Sequence, residues 1–320
     1  MTRRAVLDVG SNSILLLVAA ASGDQWQTVH EETRVTGLGT GTKTTGLLQP
    51  EPMAESLAAL REFFSKAHEL GAERIVAGGT MALRIANNSG DFLAAAEAQS
   101  TPVRVLSGTE EAELGFLAVA DDPAFREHDR ISIIDPGGHS TELVTADRTW
   151  HQPAGAPYAL SSWDIRFRRS YPVGALGLRE TLLHAESPDF SARLKAVAAI
   201  DDEIGLCYLP NQSGHSIVLG ATGVNLINIR NGWTDWRPSE IHASYLDYEE
   251  VGRAVGWMFD LDDAGRAAIV GIEKGREKTL HIGALILERF LQSLRTLGTS
   301  VSVRGWRHAL LERLNEPAWR

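Results

Sequence analysis

Asp8-Val9-Gly10-Ser11-Asn12-Ser13-Ile14-Leu15-Leu16 aligns without a gap on Asp135-Pro136-Gly137-Gly138-His139-Ser140-Thr141-Glu142-Leu143, sharing the pattern D-x-G-x-x-S-x-x-L at a distance of 127 residues. A β-rich apolar run leads into each copy, Ala5-Val6-Leu7 in the first and Ile131-Ser132-Ile133-Ile134 in the second. Another leads out, Ile14 to Val18 and Leu143-Val144. Glycine and small polar residues between two such runs read as a hairpin, because glycine supplies backbone conformations that other residues avoid. The chain therefore carries two related strand–turn–strand units. Gly, Ser and Asn in such a turn let backbone N–H groups and hydroxyls converge on an anion, and phosphate is the natural guest. The aspartate that ends each incoming strand adds a hard carboxylate able to hold Mg²⁺ directly or through water. Two such loops facing each other across a cleft would bracket a phosphorylated ligand.

Outward from the repeats, helices and buried strands alternate. Pro50 to Leu70 predicts a helix, with Met53, Leu57, Leu60, Phe63, Phe64 and Ala67 at helical spacing and Gly71 as its stop. Ile75-Val76-Ala77-Gly78-Gly79 reads as a buried strand, Phe92 to Ala98 as a helix and Val103 to Leu106 as a strand. Ser107-Gly108-Thr109-Glu110-Glu111 then opens a helix to about Ala120. In the second half, Ser191 to Leu206, Tyr248 to Met258 and Lys278 to Leu297 read as helices, and Ile217-Val218-Leu219 as a strand running into Gly220-Ala221-Thr222-Gly223. Strands alternating with covering helices give the class α/β. Asp121-Asp122-Pro123 and the charged run 126–130 divide the chain into domains 1–122 and 123–320.

Composition narrows the partners. The 320 residues carry 41 acidic and 31 basic side chains, a net charge of −10, which argues against bulk nucleic acid or an anionic membrane as partner. With 43% apolar residues the chain is an ordinary globular sequence of about two domains. A single cysteine, Cys207, excludes an internal disulfide framework and reads as a small buried apolar residue. Arg3-Arg4 followed by an apolar stretch imitates an export signal, but Asp8 and Gly10 to Ser13 interrupt it, so a cytoplasmic location is expected. The tryptophans read as packing residues, since no basic stripe interleaves them.

These motifs resemble those of the exopolyphosphatase and guanosine pentaphosphate phosphohydrolase family, within the actin, sugar-kinase and Hsp70 superfamily. Residues 6–13 are similar to its first phosphate loop and 134–143 to its second. Gly79-Thr80-Met81-Ala82-Leu83-Arg84 with Asn88, and Leu106 to Ala112, match two further signatures in order. The resemblance implies two actin-like (ribonuclease H-like) domains with mixed β-sheets flanked by helices and an interdomain cleft. It leaves open that the tail, about 300–320, packs back on the first domain. It implies Mg²⁺-dependent hydrolysis of a terminal phosphoanhydride of polyphosphate or guanosine pentaphosphate. By that likeness Glu111 is the general base, and Asp8, Asp135 and Glu142 hold or orient Mg²⁺, mostly through waters. Gly10, Ser11, Asn12, Ser13, Gly137, Gly138, His139 and Ser140 bind phosphoryl oxygens, and Arg84 offers a fork to the next phosphate. Pairing of two chains is allowed by the resemblance, although no sequence feature indicates it.

The sequence departs from the family pattern in the second loop and in its cations. Pro136 removes an N–H donor, and His139 stands where the family has glycine. His139 is open to three readings: it narrows the site, donates to phosphate, or is an exposed turn residue. Leu15 and Gly37 occupy positions that are arginine in many relatives, and Ile85 one that is commonly acidic. Arg34, Lys43, Arg166, Arg168 and Arg169 are available to compensate. The losses keep a second function open, a polyphosphate or guanosine-polyphosphate sensor of the same fold without turnover.

Overall fold

The two hairpin units each seed a mixed sheet. The computed structural model describes residues 1–23, 25–120, 122–151, 160–205 and 214–315. The first sheet contains β1 (Arg3–Val9), β2 (Ser13–Ser22), β3 (Gln25–Val35), β4 (Arg74–Gly79) and β5 (Val103–Val105), in the order β3-β2-β1-β4-β5. The second contains β6 (Arg130–Pro136), β7 (Thr141–His151), β8 (Leu160–Tyr171), β9 (His215–Val218), β10 (Tyr245–Asp247) and β11 (Gly298–Val301), in the order β10-β11-β9-β6-β7-β8. From the hairpin outward the sheets repeat each other. β1 and β6 each pair with an antiparallel neighbour on one side and a parallel strand, β4 or β9, on the other. β5 and β11 extend the parallel side, and β10 adds an antiparallel edge to the second sheet.

Alternation along β1 sends side chains to two different cores. Ala5, Leu7 and Val9 pack under the helices Pro50–Glu69 and Ser89–Ala98, against Leu60, Phe63 and Phe92. Val6 faces the opposite way, with Leu17 and Ala19, onto Trp306 and Leu310 of the helix Trp306–Arg313. The second sheet divides likewise. Ile134, Leu143 and Val218 lie in a core with the helix Leu280–Leu294, whereas Ile131, Ile133 and Val144 meet Ala112, Phe116 and Val119 of the helix Gly108–Ala120. The middle of the molecule is thus a crossed pair. The 108–120 helix follows the first sheet but packs on β7 and β8 of the second, while the 306–313 helix follows the second sheet and packs on β1. The two helices also pack on each other, through Leu114 and Ala118 against Trp306 and Leu310.

The apolar-periodic segments expected from the sequence form as read, with ends shifted by a few residues: Pro50–Glu69, Phe190–Ile204, Tyr248–Phe259 and Leu280–Leu294 are helices. Leu206 and Cys207 lie outside the described residues. β3 and β8 escape the pattern because they are edge strands rich in charge, and an edge tolerates charge that a central strand does not. Among the described residues no helix is long and apolar enough to cross a membrane.

If the crossed helices hold the halves together, truncating their contact is costly. Leu310 is fully buried there, so Leu310→Ala should lower unfolding stability by about 2–5 kcal/mol in a urea titration. Leu297, 86% exposed, serves as control, and Leu297→Ala should stay within roughly 0.5 kcal/mol of wild type. Equal effects would contradict this packing.

Candidate active site

Both turns are closed by the same hydrogen bond. Gly10 N–H donates to Ser13 O at 3.0 Å, and Gly137 N–H donates to Ser140 O at 2.8 Å. The strand registers place Asp8 opposite Leu15 and Asp135 opposite Glu142. The repeat is therefore asymmetric in one respect: the carboxylate facing the strand-end aspartate exists only in the second copy. The loops touch, since a Cβ at Gly138 would lie 2.9 Å from the Cβ of Ser11, and no side chain larger than hydrogen allows that approach. A cleft of about 150 Å³ opens beside them, lined by both loops and by Asp8, Glu111, Asp135 and Glu142.

Glu111 reaches the cleft because its neighbour caps the helix. Ser107 N–H donates to the Glu110 carboxylate at 2.9 Å, and Glu110 N–H donates to Ser107 Oγ at 3.2 Å, a reciprocal capping box. Although partly buried, Glu110 is held below the usual carboxylate range by Ser107 and Arg104. Glu111, one residue on, turns inward and is 9% exposed. The paired glutamates thus divide into a cap and a cleft residue.

The four cleft carboxylates all resist ionisation. Burial pushes Asp8 up to about 8; Arg307 and a hydrogen bond from Trp306 oppose this, and Glu111 and Asp135 reinforce it. Burial, then the Glu111 charge, raises Asp135 to about 7. Glu142 is driven well above its ordinary value by burial and by Glu111 and Asp135, with Ser170 and Ser140 as hydrogen-bonding partners that pull it back. Burial raises Glu111 too, against the attraction of Arg84. Every donor here is oxygen, which suits a hard cation. Among the described residues no three such side chains converge tightly enough to chelate an ion alone. That combination fits Mg²⁺, which keeps several waters and takes one or two carboxylates together with substrate oxygens.

Most of the expected site residues come together here, but two have surroundings that the sequence did not indicate. Arg84 is turned to protein partners: its Nη1 donates to Glu111 Oε2 and to Leu106 O, each at 2.8 Å. Its nearest charge is the buried glutamate, and pairing the two offsets the burial of both. The ring of His139 is fully buried, so the exposed-turn reading is overturned; the residue packs against Gly39 and Gly177, behind the loop. The cations proposed to compensate are engaged elsewhere. Arg34 pairs with Glu62 and Glu32, Lys43 donates to Pro172 O, Arg166 and Arg168 pair with Asp147 and Glu113, and Arg169 lies over the Tyr171 ring.

Two arginines from the far end of the chain line the cleft instead, although each also pairs with a glutamate, Arg276 with Glu273 and Arg307 with Glu31. Arg276 lines the cleft and donates to Ser13 Oγ at 3.2 Å. Arg307 lines it as well, 3.5 Å from Glu31, and acts on Asp8 and Asp135. Neither sits in any of the motifs that mark the loops in the sequence. Past these arginines, Gly220, Ala221 and Gly305 lead into a second cavity of about 510 Å³ walled by Trp233, Trp236, Ile272 and Val303.

Duplicated glycine loops gripping a cleft of buried carboxylates, built on two mixed sheets, define a phosphate-handling enzyme of the actin-like class. The chain belongs to the Ppx/GppA phosphatase family, which matches residues 17–316, and is by that membership a phosphoanhydride hydrolase. It is 26% identical over 308 residues to a protein named exopolyphosphatase 2 from Mycobacterium tuberculosis, covering 92% of each chain. A crystal structure of the Aquifex aeolicus member of the family matches with a TM-score of 0.75 at 25% identity, over 98% of this chain and 97% of that one. An exopolyphosphatase from Cytophaga hutchinsonii shares the fold, with a TM-score of 0.84 at 21% identity over 98% and 97% of the two chains. The two actin-like domains expected from the sequence are thus the fold of this protein.

The raised carboxylates set a pH dependence of stability. An unfolded aspartate ionises near pH 4 (about 3.9), while folded Asp135 holds its proton to about 7. Between these values the native state binds more protons than the unfolded state, so stability falls as pH rises. Above 7 the full penalty remains. Without divalent cation, Asp135→Asn should therefore raise the melting temperature by a few degrees at pH 8 and much less at pH 4.5. An equal gain at both pH values would contradict the burial of this charge.

Proposed function

We propose that the cleft hydrolyses the terminal phosphoanhydride of inorganic polyphosphate or guanosine pentaphosphate, with Glu111 activating water and Mg²⁺ as cofactor. The gathering of Asp8, Glu111, Asp135 and Glu142 beside two touching glycine loops carries this reading. Amides and hydroxyls of residues 10–13 and 137–140 hold the phosphoryl oxygens in place as charge moves to the leaving group. Glu111 takes a proton from water, whose oxygen bonds to the terminal phosphorus. The bridging P–O bond breaks with its electron pair on the remaining chain, and inorganic phosphate departs. A base with a raised pKa is matched to that task near neutrality. Arg84, on Oε2, fixes the carboxylate so that its other oxygen meets the water. Arg276 and Arg307 stand where the rest of the chain would lie, and offset its negative charge. Asp8, Asp135 and Glu142 would hold or orient Mg²⁺, mostly through waters, and the ion when bound would neutralise phosphate charge and stabilise the leaving oxygen.

One observation favours the guanosine branch. The cavity bounded by Trp233, Trp236, Ile272 and Val303 adjoins the phosphate cleft and offers a planar base apolar and aromatic walls, which a bare inorganic chain does not need. The name of the Mycobacterium relative favours inorganic polyphosphate.

Phosphate release from graded polyphosphates, guanosine pentaphosphate and ATP with Mg²⁺ distinguishes these substrates. Release from one of the first two is expected, and Glu111→Gln should reduce it by roughly 10²–10⁴-fold. Arg84→Gln should lower kcat with little change in KM, because it acts through Glu111. Activity that survives Glu111→Gln would remove this residue from the mechanism. Tight guanosine pentaphosphate binding with no phosphate released would identify a sensor instead.

A further inference from the structure

The ring of His139 is fully buried, and neither Nδ1 nor Nε2 has a hydrogen-bond partner. Glu180 Oε2 is also buried and unpartnered, and it lies 3.9 Å from His139 Nε2, just beyond bonding distance. The other oxygen of Glu180 is already committed: it accepts Gly41 N–H at 2.6 Å. Gly41 belongs to the first half of the chain and Glu180 to the second, so this bond joins the two halves.

The surroundings tie each partner to one phosphate loop. Gly39 N–H donates to Ser11 O at 2.7 Å, which fixes the 37–41 segment to the first loop. Leu176 and Gly177 N–H donate to Gly138 O at 2.8 and 3.0 Å, which fixes the helix Ala175–Thr181 to the second. The His139 ring is wedged between them. A Cβ at Gly39 would lie 2.5 Å from its Cε1, and one at Gly177 would lie 3.2 Å from its Cδ2. Lys43 Nζ, donating to Pro172 O at 3.1 Å, is a further contact between the same halves.

Leaving buried polar atoms without partners is unfavourable, so a donor and an acceptor held 3.9 Å apart are drawn together. A shift of roughly an ångström suffices to bring them to ordinary hydrogen-bond length. We infer that His139 and Glu180 form a latch between the two halves, in which His139 donates to Glu180 and thereby positions the second phosphate loop against the first. His139 is a positioning residue here, and its effect on turnover rests on the phosphohydrolase reading above.

Two measurements test the latch separately from that reading. Amide hydrogen exchange on the full chain needs no ligand and no turnover. His139→Ala and Glu180→Ala should each speed exchange in both 37–46 and 175–181, leaving β4 unchanged, and the double variant should exceed neither single one. Additive effects, or unaltered exchange across 37–46, would overturn the proposal. Glu180→Ala keeps the test open should His139→Ala fail to fold. In phosphate release, both variants should lose kcat by about ten- to a hundredfold, as misplacement of roughly an ångström does, with KM little altered. His139→Gln, which keeps a donor, should recover part of that loss. A wild-type chain that releases no phosphate defeats the hydrolase reading, while the exchange result still decides the latch.

Discussion

Four carboxylates, Asp8, Glu111, Asp135 and Glu142, are brought into one cleft where burial and mutual repulsion disfavour their charges. Much of the surrounding structure answers that constraint. Arg84 is spent on Glu111, Arg307 acts on both aspartates, and Ser140 and Ser170 hydrogen-bond Glu142. A fold that served only stability would place apolar groups there, as the first repeat does at Leu15. Concentrated charge of this kind marks a site where burial energy is given up for chemistry.

Duplication supplies the frame and its breakdown supplies the function. Apart from the extra edge strand β10, the two sheets repeat each other around the same turn hydrogen bond, yet only the second hairpin bears a carboxylate opposite its aspartate. The general-base candidate comes from neither hairpin. It rides on the 108–120 helix, which leaves the first sheet, packs on the second and meets the 306–313 helix returning from the other side. Both crossed helices end at the cleft, through Glu111 at one and Trp306 and Arg307 at the other.

How much the sequence revealed depended on whether a signal was local. The hairpins were legible because Asp, Gly and Ser recur at fixed spacing with apolar flanks, and the helices because apolar residues recur at helical period. Glu111 stood out through its motif, and the capping role of Glu110 explains why one of an adjacent pair faces inward. Arg84 was identified, but its partner was not: a guanidinium's choice between a phosphate and a glutamate 27 residues away is a tertiary matter. Arg276 and Arg307 escape the sequence for the same reason, since their place at the cleft comes from tertiary packing. His139 looked like a turn residue because it sits in a turn; burial came from Gly39 and Gly177, remote segments that leave room for its ring.

Burial holds the Asp8 and Asp135 carboxyls up at about 8 and about 7, so both should ionise fully only as a cation and a phosphate chain arrive together. Calorimetric titration with imidodiphosphate, with and without Mg²⁺, in buffers of different ionisation enthalpy, tests this directly. Binding should tighten strongly when Mg²⁺ is present and should release protons, as buried acids ionise to meet the metal. Equal affinity with and without Mg²⁺, and no proton release, would contradict it.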